Sequence, residues 1–135
     1  MQATIVVALV LHVLSGVFWA GSTFALARMG GNQALRLLGP QLGAATIAIV
    51  SGAVLWFLLH RGGEGIAERI LAAGAVLAIV AVGVQAAAGI TSRQALAGAG
   101  NPQSPRVEQR AVIGQRIAAA CLAVTVICMA AFRYV

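Results

Sequence analysis

Four long apolar stretches account for most of the 135-residue chain. Each is close to the roughly 20 residues that a helix needs to cross the hydrocarbon core of a bilayer. None shows the alternation of polar and apolar positions, over about 10 residues, that marks a strand of a membrane barrel. The pattern therefore predicts an all-α integral membrane four-helix bundle, one domain over residues 1–135. The predicted helices cover residues 4–27, 42–59, 70–90 and 111–132.

Glycine and proline mark the connections between these stretches, as they commonly do in turns. At the start of the last helix, Ser104 is predicted as the N-cap and Pro105 as the first helical residue. Glu108 follows near the positive end of that helix dipole. The three predicted connections contain residues 30–40, 62–63 and 98–105.

Composition supports a membrane protein. Hydrophobic residues make up 61% of the chain and charged residues only 9%, whereas soluble domains average about 25% charged residues. Lipid accepts an apolar exterior that water does not. The 16 glycines and many alanines favour close helix packing, because small residues let membrane helices approach each other.

All nine basic residues are arginines, and they are divided unequally between the two ends of the predicted helices. The positive-inside rule therefore predicts that both termini lie on the periplasmic side. Since the arginines stand singly at helix ends, they indicate lipid-headgroup anchors rather than a nucleic-acid partner. The first and third connections and their flanks carry Arg28, Arg36, Arg93, Arg106, Arg110 and Arg116; the other side carries Arg61, Arg69 and Arg133.

His12 is the clearest ionisable residue inside a predicted helix, and such residues are candidates for function. Helix counting places it near the bilayer midplane, slightly toward the outer side. A neutral imidazole can bind haem iron or copper, or take part in proton transfer. The equally weighted alternative is a neutral histidine bonded to a neighbouring helix, for example through Ser51.

Four further residues are candidate metal ligands. His60 is predicted about 10 Å further outward than His12, which makes the two a poor axial pair for one haem and favours an interfacial position for His60. Cys121 is predicted at the level of His12, and Cys128 with Met129 at the level of His60. Thiolate, thioether and imidazole ligands favour Cu(I), so a copper ladder is one interpretation and ordinary packing is the other. The two cysteines are too far apart along the helix to form a disulfide with each other.

The remaining polar residues favour structure over catalysis. Gln85 is predicted to hydrogen-bond between helices, and Trp19, Trp56 and Tyr134 to pack or to lie in the interfacial belt. The sequence has no paired carboxylates, HExxH or CxxC motif, or phosphate-binding loop. An enzymatic activity is therefore less favoured than a binding or structural role.

The first helix resembles a known family. Leu11-His12 is followed by Trp19 and Gly21 as in the copper-resistance D (CopD)-like membrane proteins and related small bacterial proteins, and residues 129–134 look like the C-terminus of those proteins. The resemblance implies a multi-pass protein of the bacterial inner (cytoplasmic) membrane linked to copper. A similar-looking family, the four-helix protoporphyrinogen oxidases, also has a first-helix histidine and implies a link to haem. His12 is the residue that matches.

Two hypotheses follow. In the first, the protein binds haem b or copper through His12. In the second, it is a non-catalytic accessory or structural subunit, associated in the lipid bilayer with other membrane proteins or with further copies of itself. A small-molecule transporter ranks third, because the sequence lacks the inverted repeat and interrupted helices typical of transporters.

Overall fold

The computed structural model describes residues 2–29, 31–59, 65–99 and 105–134, and these ranges contain helices but no strand. The predicted all-α four-helix architecture is therefore confirmed. A short 3-10 turn at Phe132–Tyr134 follows the last helix. The four helices are α1 (Gln2–Leu26), α2 (Gly31–Leu59), α3 (Ile66–Ala99) and α4 (Pro105–Ala131).

The outer surface of the bundle is apolar. All four helices are long and apolar enough to span a membrane. Large side chains point away from the bundle, with Val17, Phe57 and Ile127 exposed by 67%, 74% and 65%. An apolar surface this extensive suits hydrocarbon rather than water. The fold thus defines a multi-pass membrane protein.

The second helix begins earlier than the sequence predicts. The predicted connection over residues 30–40 is wrong, because Gly39 and Pro40 lie inside α2. Pro40 has no N–H to donate to the carbonyl four residues earlier. Membrane helices tolerate this loss where neighbouring elements support the chain, so the proline interrupts one hydrogen bond without ending the helix.

The start of the last helix agrees with its predicted signals. The helix α4 begins at Pro105, and Glu108 lies in its first turn. A proline suits this position because its missing N–H would have no partner inside the helix. The proposed N-cap Ser104 and the turn residues 62–63 lie outside the described residues.

The helices form two antiparallel hairpins. The first helix packs mainly against α2 and α3 mainly against α4, with further contacts of α2 to α3, of α1 to α4 and of α2 to α4. The described parts of α1 and α3 have no close backbone approach. Because helix direction alternates, the α1 C-terminus, α2 N-terminus, α3 C-terminus and α4 N-terminus share one end of the bundle. We call it the arginine-rich end, and the opposite end, which holds both chain termini, the terminal end.

All four helices are longer than the hydrocarbon core requires, and α2 and α3 exceed it most. The helices α2 and α3 have 29 and 34 residues. At 1.5 Å per residue they are about 44 and 51 Å long, against about 30 Å for the hydrocarbon core. The residues of α2 and α3 that lie outside the predicted apolar stretches are mainly at the arginine-rich end.

Small residues form the centre of the bundle. The core consists mainly of alanines around two large side chains, Trp19 and Leu122. The helices α3 and α4 are in close contact at Gly114. A Cβ atom added there would lie only 2.5 Å from the Cβ of Ala88. Close packing of this kind replaces the hydrophobic driving force that is missing between helices in lipid.

Candidate functional site

A fully buried polar cluster, which we call the glutamine network, joins all four helices. It contains one glutamine from each of α2, α3 and α4 and two residues of α1. No member is more than 3% exposed. The members are Trp19, Thr23, Gln41, Gln85 and Gln115.

The hydrogen bonds of the glutamine network form a continuous path. The indole Nε1 of Trp19 donates to Gln85 Oε1 at 2.7 Å, and Gln85 Nε2 donates to Gln115 Oε1 and Thr23 Oγ1, both at 2.9 Å. Gln115 Nε2 donates to Gln41 Oε1 at 2.9 Å, and Gln41 Nε2 donates to Thr23 Oγ1 at 3.2 Å. The Thr23 hydroxyl donates to the Trp19 carbonyl at 2.7 Å.

The chemistry of Trp19 fixes the direction of this path. An indole N–H can only donate, so the oxygen of Gln85 must face it. The amide nitrogen of Gln85 must then face Thr23 and Gln115, which orients the Gln115 and Gln41 amides in turn. Each amide orientation therefore follows from one donor, and a helix shifted in register would break the pattern.

The glutamine network is suited to joining helices rather than to binding a substrate. It contains no ionisable side chain. The cavity beside Gln85 and Gln115 has a volume of about 10 Å³, enough for one water molecule at most. Buried amides without partners are costly, but here they satisfy one another, which explains how three glutamines are tolerated among apolar helices.

His12 lies half-buried on α1, against α2. Its Nδ1 is 2.8 Å from the carbonyl oxygen of Ala48, and the Ser51 hydroxyl is 3.5 Å from the same nitrogen. A carbonyl can only accept, so Nδ1 carries the proton. In the neutral ring the lone pair is then on Nε2, the atom that would bind a metal. The predicted bond to a neighbouring helix is confirmed, with Ala48 as the closer partner.

Gly52 provides the space that the imidazole occupies. A Cβ atom added at Gly52 would lie 2.9 Å from His12 Cε1 and 3.1 Å from Nδ1. We call the Ala48 carbonyl, Ser51 and Gly52 the His12 seat. Backbone atoms of α2 set its shape, so it holds the ring in one orientation.

The Gly52→Ala substitution should displace the His12 ring and weaken its bond to Ala48, because the added methyl group overlaps the imidazole. The tautomer can be followed by NMR of 15N-histidine-labelled protein, where the wild type should show a protonated Nδ1. Gly43→Ala is the matched control on the same helix, since nothing lies within 4 Å of its Cβ position. An unchanged His12 signal in Gly52→Ala would contradict the geometry of the seat.

The other candidate ligands face different surroundings. Cys121 packs beside the alanine-rich core, and the Cys128 Cβ lies 3.1 Å from the Cβ position of Gly74 on α3. Both cysteines are free, and Met129 is half-buried. His60 lies outside the described residues. In the part of the chain that the structure describes, no three His, Cys, Asp or Glu residues are grouped to hold a metal ion.

An apolar groove runs beside the His12 seat, on the outer face between α1 and α2. It has a volume of about 640 Å³ and is lined mainly by aliphatic side chains. Ser51 belongs both to this groove and to the seat. The hydroxyl of Thr46, also in the groove, donates to the carbonyl of Leu42 in its own helix, so the groove offers an apolar surface. Its lining includes Val7, Leu11, Ile47, Val50 and Val54.

The fold and these sites define the class: a multi-pass membrane protein of four helices, joined by a glutamine network, with a histidine seated between its first two helices. No protein-family model, curated protein or solved structure matches the chain. The resemblance to CopD-like proteins therefore stays a prediction.

Sequence reasoning found Gln85 but missed its partners Thr23, Gln41 and Gln115. A signal was present, because each of the last three helices has a glutamine at a similar distance from the arginine-rich end. Trp19 is predicted to pack or to lie in the interfacial belt; its ring packs in the alanine-rich core, and its N–H has the additional role of donor. Gly52 carries no pattern that marks it as part of a site.

Proposed function

We propose that the protein binds haem b through Nε2 of His12 in the inner membrane of a bacterium. The observation that carries this proposal is the bond of 2.8 Å between His12 Nδ1 and the Ala48 carbonyl. Histidines that bind metals commonly donate their other ring N–H to a carbonyl, which fixes the tautomer and orients the ring. The His12 seat has this arrangement.

Haem is favoured over copper by the number of ligands that each requires. One axial histidine is sufficient for a five-coordinate haem, whereas copper at His12 would need further ligands, and no three of the described His, Cys, Asp and Glu residues are grouped there. Copper held by His12 with Cys121 is therefore the less favoured cofactor; the second predicted copper level, His60 with Cys128 and Met129, includes a residue outside the described ranges. Bound haem would supply redox or ligand-binding chemistry, while the chain would supply the axial nitrogen and an apolar environment.

The apolar groove supports the same proposal. It lies next to the His12 seat and shares Ser51 with it. An apolar macrocycle bound there would replace lipid chains rather than water.

The orientation in the membrane is part of the proposal. Six arginines at the arginine-rich end against three at the other support a cytoplasmic arginine-rich end and periplasmic termini, since basic residues accumulate on the cytoplasmic side. His12 would then lie in the periplasmic half of the bilayer. A cofactor in that half would exchange electrons with periplasmic partners more readily than with cytoplasmic ones.

The test is a reduced-minus-oxidised absorbance spectrum of protein purified in mild detergent from cells with ample haem. We expect Soret and α bands in the wild type, their loss in His12→Ala, and their recovery when imidazole is added to that variant. His60→Ala should keep the bands. Absence of haem from the wild type, or bands that persist in His12→Ala, would refute the proposal; copper that is lost with His12 would assign the site to the metal instead.

A second candidate function is that of a non-catalytic subunit in a larger membrane complex. The observation that favours it is the exposure of α1. In its most apolar segment only 11% of the residues are buried, against 28%, 22% and 22% in α2, α3 and α4. A partner helix lying on α1 would cover this surface. In that case His12→Ala should leave the complex intact on native gels, while bulky polar substitutions at Val6 and Val17 should dissociate it.

A further inference from the structure

Two arginine–carbonyl bonds cross between the hairpins at the arginine-rich end. In the first, Arg116 Nε of α4 donates to the Ala27 carbonyl at 3.2 Å. Ala27 directly follows the end of α1 at Leu26, so its carbonyl lies where the helix leaves acceptors free. The next residue is Arg28. Arg116 and the residue next to its acceptor, Arg28, thus bring two basic residues to the seam between α1 and α4.

The seam between α2 and α3 repeats this arrangement. Arg93 Nη2 of α3 donates to the Leu35 carbonyl at 2.8 Å, and the residue after Leu35 is Arg36. All of these arginines are exposed. Because a guanidinium has five N–H donors, the bond to the carbonyl fixes the position of the group and leaves other donors for a ligand.

The charge at this end lacks a matching number of acidic residues. Six of the nine arginines lie here, and the sequence provides one carboxylate on this side, Glu108. Neighbouring guanidinium groups repel each other unless an anion lies between them. The counter-charge at both seams must therefore come mainly from outside the chain.

The depth of the first seam indicates which anion is available. Ala27 lies four residues beyond Thr23 of the glutamine network, about 6 Å toward the arginine-rich end. The Arg116 side chain reaches this level from beside Gln115, extending toward the N-terminus of its own helix as long basic side chains do near a membrane surface. With α1 spanning the bilayer, a guanidinium at this end of the helix would meet the lipid phosphates.

We propose that each seam binds the phosphate group of an anionic phospholipid. Arg116 and Arg28 would bind one phosphate between α1 and α4, and Arg93 with Arg36 another between α2 and α3. Guanidinium–phosphate hydrogen bonds are charge-assisted and frequently bidentate, and basic sites between membrane helices bind such headgroups. This proposal is independent of any cofactor at His12.

The experiment is native mass spectrometry of the full-length protein in neutral detergent with equal amounts of phosphatidylglycerol and phosphatidylcholine. We expect the wild type to bind two phosphatidylglycerol molecules per chain, with one site weakened in Arg28→Gln and both sites weakened in Arg28→Gln/Arg36→Gln. Each arginine removed should weaken its site about fivefold, since a basic residue near the surface contributes about 1 kcal/mol. These variants retain the two arginine–carbonyl bonds, and thermal unfolding in lipid-free detergent should confirm that the fold is unchanged.

Arg133→Gln is the matched control, because Arg133 is exposed at the terminal end. This variant should keep both lipids. Equal loss of lipid in Arg133→Gln, or equal binding of phosphatidylcholine, would show that the seams are not specific sites and overturn the proposal. Displacement of phosphatidylglycerol by an equal concentration of inorganic phosphate would also overturn it, since the ligand would then be free phosphate.

Discussion

Replacing Gln85 by methionine should destabilise the bundle by about 2–3 kcal/mol. Gln85 makes three hydrogen bonds inside the glutamine network, and methionine fills a similar volume without making any. The Trp19 indole N–H would lose its acceptor, and a buried donor left alone costs about 1–3 kcal/mol. Each remaining bond between membrane helices contributes a smaller amount, about 0.6 kcal/mol on average.

The measurement is reversible unfolding in mixed micelles of mild detergent and sodium dodecyl sulfate. Gln94→Met is the matched control, because Gln94 lies on the same helix and is exposed; its stability should stay within about 0.5 kcal/mol of the wild type. Gln85→Glu should be at least as harmful as Gln85→Met, since a carboxyl group cannot supply the two donors that Thr23 and Gln115 require. A Gln85→Met protein as stable as the control would mean that the network contributes little.

Replacing Gly114 by alanine should destabilise the bundle by about 1–3 kcal/mol, the usual cost of overpacking a tight core. The new methyl group would lie 2.5 Å from the Cβ of Ala88. Neither atom can rotate away, because each is attached directly to a helix backbone. The helices α3 and α4 must therefore move apart, and the bond between Gln85 and Gln115 lengthens with them.

Alanine substitutions at two glycines of α3, Gly83 and Gly89, provide the comparison for Gly114→Ala on α4. Nothing lies within 4 Å of the Cβ position of Gly83, so Gly83→Ala should be neutral or stabilise by up to about 1 kcal/mol through helix propensity. A methyl group at Gly89 would meet the flexible end of the Leu38 side chain, which can change rotamer, so Gly89→Ala should have an intermediate effect. The same unfolding assay measures all three; equal stabilities for Gly83→Ala and Gly114→Ala would contradict the close approach.

The sequence predicts the number and type of helices because lipid leaves few alternatives. An apolar stretch of about 20 residues must satisfy its own backbone, and a helix does this locally. The boundary of α2 is different, since Gly39 and Pro40 look like a break when the chain is considered alone. Whether a helix continues through a proline depends on support from neighbouring helices, and that is tertiary information.

The sequence does not predict the partners of Gln85 in the glutamine network, for a related reason. Gln41 stands one residue before the predicted second helix, and Gln115 lies near the start of the predicted fourth helix, beside Arg116. Gln41 is buried because α2 begins well before the apolar stretch, whereas Gln115 is buried because its side of α4 faces the other helices. Pairing between them also depends on helix register, which apolar composition does not specify.

His12 illustrates what a residue type can and cannot predict. Its position inside an apolar helix marks it as a candidate, and a partner on a neighbouring helix was expected. The closer acceptor, however, is the backbone carbonyl of Ala48, and every residue of α2 has a carbonyl. Only the approach of the two helices at Gly52 determines which carbonyl is reached.

The division into two hairpins has a consequence for biosynthesis. Each hairpin contains part of the glutamine network: the Gln41–Thr23 bond lies within the first and the Gln85–Gln115 bond within the second. The bonds from Trp19 to Gln85 and from Gln115 to Gln41 form only when the hairpins meet. A chain that has inserted only its first hairpin therefore carries polar side chains whose remaining hydrogen-bond partners lie in the second hairpin. This favours pairing of the two hairpins over association with other newly inserted helices.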